Sequence, residues 1–168
     1  MLAFTFTWNR AVKRIHAEAR ACIAARLGSR DVLPLGVLLS QSVVPETNAA
    51  VTLLKGLGSI LEVPPGTLRA DDRLAALFRV RRDELPGVND RVWAASKCGG
   101  FVDIAVYDLM HLAEISTPPT IWERRWRAFT PSPRNEEEWI DLMLAMRLDQ
   151  FLRCFGSDVE DWQVAAAA

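Results

Sequence analysis

Cysteine is scarce in this chain and badly placed for a framework. Cys22, Cys98 and Cys154 are odd in number, far apart and never in C-x-x-C spacing, a pattern that argues against disulfides and structural zinc and suits a reducing cytoplasm. Long apolar runs are also missing. The longest stretch, Val32 to Val44, spans about 13 residues and is broken by Pro34, Gly36, Ser40, Gln41 and Ser42, far short of the ~20 needed to cross a bilayer. No transmembrane segment is expected. An excess of one charge is absent as well: 20 basic residues face 21 acidic ones, for a net charge of −1. The chain therefore has no overall basic field of the kind that carries nucleic-acid affinity, and no nucleic-acid partner is expected. Neither G-x-x-x-x-G-K-[ST] nor G-x-G-x-x-G surrounds the Gly99-Gly100 pair, which reads as a bend.

What is present is 168 residues, half of them hydrophobic. This is enough for one well-cored globular domain without metal or disulfide, and too apolar for a disordered chain. The charge is unevenly spread. Residues 1–30 carry Arg10, Lys13, Arg14, Arg20, Arg26 and Arg30 against Glu18 alone, while the remainder holds 14 basic and 20 acidic residues. Asn9 can cap a helix running to Leu27, with Val12, Ile15, Ala19, Cys22, Ile23 and Leu27 on one stripe and a basic opposite face. That face reads as solvated, or as a surface for a membrane or anionic partner; the Arg-rich composition also matches a transit peptide.

Helical spacing dominates the rest, and the expected class is all-α: a multi-helix bundle at residues 47–156, preceded by a basic helix and a breaker-rich, potentially flexible connector (1–46) and followed by a frayed tail (157–168). Helices are expected from Thr47 or Asn48 to Pro64, after Asp71 or Asp72 through Leu74, Leu77 and Phe78, and after Asn89 for a turn or two. Others are expected over Phe101–Ile115, from Thr120 to Phe129, after Asn135 and over Leu148–Phe155. Gly56 and Gly58 within the first of these suggest close approach of another helix, and the one place left open for a small sheet is near Leu2–Thr7.

Three sets of residues invite a chemical reading. Cys98 follows Lys97 and precedes the expected Phe101–Ile115 helix, two features that would stabilise a thiolate. A nucleophile needs a base, yet His111 would lie roughly 15–20 Å along that helix, and His16 belongs to the basic lead. His111 has Asp108 and Glu114 at three residues either side, a poor set for a transition metal. The third set is Trp122, Arg124, Arg125, Trp126 and Arg127: the tryptophans fall at i, i+4 on one face with arginines projecting away. That is either core packing with a solvated basic edge or an anchor for a protein partner, where tryptophan and arginine are enriched.

Three segments carry a family likeness. The run Ile60-Leu61-Glu62-Val63-Pro64-Pro65, followed by Leu68-Arg69-Ala70-Asp71-Asp72-Arg73-Leu74, resembles the end of the first helix and the following loop of acyl-carrier-protein-like domains. The Phe101–Ile115 segment is similar to that family's second helix, and Met146 to Phe155 to its last short one. The resemblance implies a helical bundle. It does not imply a carrier, because the Asp-Ser-Leu triplet that bears phosphopantetheine reads Asp83-Glu84-Leu85 in one register and Gly99-Gly100-Phe101 in the other, and Ser96 has the wrong neighbours. No cofactor is expected. The function read from the sequence is a non-catalytic protein-interaction or adaptor domain contacting a protein through Trp122–Arg127; the alternative is a small cytoplasmic enzyme using Cys98 or His111.

Overall fold

The computed structural model describes residues 2–44, 46–96, 98–115 and 135–156, with side chains placed from residue 9 onward except at residue 95. Among these it is mostly helical. The α-helices are α1 (Leu2–Gly28), α2 (Leu35–Gln41), α3 (Asn48–Leu61), α4 (Leu74–Phe78), α5 (Asp90–Ser96), α6 (Val106–Ile115), α7 (Glu136–Ala145) and α8 (Leu148–Phe155). Two short antiparallel strands, β1 (Arg79–Arg81) and β2 (Phe101–Asp103), form a small sheet, with Arg79 opposite Asp103, Val80 opposite Val102 and Arg81 opposite Phe101.

Helix α1 begins well before Asn9, which is an interior residue and not a cap. Its seam of Ala11, Ile15, Ala19, Ile23 and Leu27, spaced by four, is buried, and the helix packs against α5. The connector is more structured than its breakers suggested. Pro34 stands just before α2, where a missing N–H leaves no helical bond unmade, and Leu38 and Leu39 of that helix are fully buried. Leu33 donates its N–H to the Gly66 carbonyl at 2.8 Å. A Cβ on Gly66 would come within 2.1 Å of the Leu33 carbonyl oxygen, so only glycine lets these segments meet. Residues on both sides of the boundary expected at 46 thus contribute to one hydrophobic cluster.

Thr47 caps α3 by accepting from the Ala50 N–H, while its hydroxyl donates to the Gly156 carbonyl at 2.7 Å, fastening the start of α3 to the end of α8. Gly56 allows the helix contact its position suggested: a Cβ there would lie 2.5 Å from Leu112 Cδ1 on α6. Asn89 and Asn135 cap α5 and α7 through Val92 and Glu138, as the sequence predicted. Asp72 does not cap α4. It accepts from the Arg69 N–H and from Arg30.

The largest departure is at Phe101–Asp103, expected as the opening of the Phe101–Ile115 helix and found as a strand; the region near Leu2–Thr7, where a small sheet was allowed for, is helical. Phe101-Val102-Asp103 is as compatible with a strand as with a helix turn, and cross-strand partners decide. Arg79 grips Asp103 with two hydrogen bonds of 2.6 and 2.9 Å and covers the Phe101 ring at 3.8 Å, while Val80 and Val102 bury together. Ala105, at φ 53°, turns the chain out of the strand into α6. Around α8 the core closes with Trp139 edge-on to Phe155 at 6.1 Å and Phe151 5.0 Å from Phe155.

Candidate functional site

The segment Ala70–Leu74 runs antiparallel to Met146–Asp149. Leu74 donates to the Met146 carbonyl, Leu148 to that of Asp72 and Asp149 to that of Ala70, at 2.9, 2.7 and 2.9 Å. This pairing places Arg73 directly opposite Arg147 in an isolated β-bridge, although 73 residues lie between them in sequence. Arg153 joins them from the next turn of α8. Together with Ala145 and Gln150 these arginines line an open cleft of about 320 Å³.

Asp149 organises the site without forming part of its wall. Its carboxylate is 10% exposed and receives Arg147 through Nε and Nη2 (2.9 and 2.6 Å) and Arg153 through Nη2 (3.1 Å). Burial would raise the Asp149 pKa, but the Arg147 hydrogen bonds and the charges of Arg147 and Arg153 outweigh it and hold the carboxyl below its ordinary range. Gln150 accepts the Arg147 backbone N–H at 2.9 Å, closing the start of α8. The guanidinium of Arg73 makes no hydrogen bond or ion pair among the described residues, and Arg147 Nη1 is likewise unengaged there. The wall is therefore three cations, one amide and a methyl group. Such a lining suits an anion and offers little to an apolar guest.

The residues singled out in the sequence are not gathered here. Trp122, Arg124, Arg125, Trp126 and Arg127 lie outside the described residues. Cys98 is half-buried against the core, and its thiol makes no hydrogen bond to a described residue. Gly99, Gly100 and β2 come after it in the chain, so the expected helix N-terminus is missing; the sulfur instead comes just after the C-terminal, carbonyl-bearing end of α5. His111 is 71% exposed on α6, with Nδ1 3.9 Å from Glu114. His16 is partly buried on α1, and that burial, helped by the charge of Arg20, lowers its pKa.

The arginine cleft was not foreseen. Its one local signal is Arg147-x-Asp149-x-x-x-Arg153, in which an acid at i, i+4 from an arginine suggests a helix-surface pair; nothing in the sequence puts Arg73 beside it. No protein-family model matches the chain, and no curated protein or solved structure matches it either.

Proposed function

We propose that this chain is a non-catalytic protein-interaction domain that grips an acidic group of its partner through Arg73, Arg147 and Arg153. The observation that carries this reading is the cleft wall, where Arg73 stands exposed and, among the described residues, unpaired beside two arginines already oriented by a buried carboxylate. Pre-orientation matters because a fixed guanidinium loses less side-chain freedom on binding than a mobile one. The frame is read as a carrier-like bundle without its prosthetic group. In support, α6 begins only at Val106, and Ile104, Ala105 and Val106 at its start include no serine. No observation favours catalysis at Cys98 or His111: the one stands past the carbonyl end of a helix, and the other lies exposed on α6.

Anisotropy of a fluorescent glutamate-rich peptide tests the reading. The chain is expected to bind it in a salt-sensitive way, with Arg73→Glu weakening binding at least tenfold; equal binding by that variant overturns the assignment. Co-expression with a phosphopantetheinyl transferase is expected to leave the mass of the chain unchanged. The Trp122–Arg127 segment is a second candidate contact, and retained partner binding by Trp126→Ala and Arg125→Glu would remove it.

A further inference from the structure

Resting on the interaction reading, we propose that the acidic group the cleft takes is a phosphomonoester. The three guanidiniums come from three places in the chain: the residue before α4, the residue before α8 and the second turn of α8. Donors that approach from separate backbone segments suit a tetrahedral group with three terminal oxygens. A planar carboxylate is matched by one guanidinium fork, and the Arg147 fork is already taken by a carboxylate, that of Asp149. What Arg147 has left is Nη1, and beside it stands the whole guanidinium of Arg73.

Charge agrees with this choice. Arg73 brings to the cleft a positive charge that no carboxylate meets among the described residues, since Asp149 is held by Arg147 and Arg153. A phosphomonoester carries about −1.5 to −2 at neutral pH, so it draws more from this surplus than a carboxylate can. The cleft's volume admits a phosphoryl group together with the first atoms of whatever bears it, and Ala145 as its one apolar wall residue means that the recognised part is the headgroup. The shared chemistry is the phosphomonoester itself, borne by a small molecule or by a serine or threonine of a protein.

Calorimetric titration of the full chain at constant ionic strength decides the matter. The ligands are inorganic phosphate, acetate, a phosphoserine peptide with acidic flanks and its unphosphorylated form; the proteins are the wild type, Arg73→Ala and, as a charge-matched control, Arg81→Ala, whose exposed side chain pairs with Asp83 at 2.8 Å outside the cleft. The expected result is binding of phosphate or the phosphopeptide at least tenfold tighter than acetate or the unphosphorylated peptide. That binding should weaken at least tenfold in Arg73→Ala, with an unchanged melting temperature, and persist in Arg81→Ala. Phosphopeptide bound well above inorganic phosphate identifies a protein-borne group; equal binding identifies a small ester. If both peptides bind alike and Arg73→Ala releases both, the phosphate inference falls while the interaction reading stands. If nothing binds, or binding ignores Arg73, both fall.

Discussion

Two sets of arginines in this molecule share a chemistry and differ in what they meet. Those of α1 and its exit are turned inward on the rest of the chain. Arg14 donates to the Gly87 carbonyl, Arg20 reaches Glu62, Arg26 bonds Glu84 and the Ala76 carbonyl, and Arg30 holds Asp72 at 2.7 Å. The basic lead and the acidic remainder are thus partly neutralised by one another, and much of the face that read as solvated or membrane-seeking from the sequence is an internal seam. In the cleft, Arg147 and Arg153 both meet the Asp149 carboxylate, and Arg73 meets no carboxylate among the described residues. A basic composition is uninformative until its counter-charges are placed; surplus, not abundance, marks a binding surface.

The comparison breaks most severely where α1 is held by its apolar seam. Ile23→Ala is expected to destabilise the fold by about 2–5 kcal/mol, read by urea denaturation; a loss under about 1 kcal/mol would mean that the arginines, not the seam, attach the helix. Asp149→Asn should cost about 1–2 kcal/mol at pH 7, since it leaves two oriented guanidiniums without their anion. The same group sets an acid limit. Its folded pKa is depressed, so its contribution is complete above its ordinary value of 3.8 and disappears as pH falls through the folded value; the variant should lose that portion of the acid transition. Smaller again, Arg30→Ala is expected to cost about 1 kcal/mol, because Asp72 is 11% exposed and loses its ion pair, and to leave anion binding intact. Arg73→Ala should do the reverse, changing stability by less than about 0.5 kcal/mol while weakening anion binding at least tenfold. The smallest effect concerns His16, whose lowered pKa favours the neutral ring in the fold. Its contribution is present above 6.5 and fades as pH falls through the folded value, so His16→Gln should flatten a slight decline in melting temperature as pH falls below 6.5.

Legibility followed the range of the physics. Asn89, Asn135 and the α3 cap could be read because capping is settled within four residues, and the seam of α1 because helical periodicity is local. Phe101–Asp103 was misread because its fate depends on Arg79 and Val80, some twenty residues upstream and beyond any helical window. Helix α2 was hidden by Pro34 and Gly36, which are breakers in a helix interior and harmless just before it and in its first turn. The cleft was the least visible of all. Asp149 and Arg153 announce a pair, but Arg73 enters only through backbone bonds between two distant loops, which leave no mark on spacing or composition.

Those backbone bonds have a consequence for how the cleft would be observed. Arg73 and Arg147 are neighbours only while Leu74, Leu148 and Asp149 keep their N–H groups on carbonyls of the facing segment. Any local opening that frees α8 scatters the site, so a bound anion works against that opening by mass action, by about 2.7 kcal/mol at a hundredfold excess over its Kd. In hydrogen-exchange terms, these three amides should slow together when the cleft is filled, and by a common factor, while those of the β1–β2 pair keep their pace.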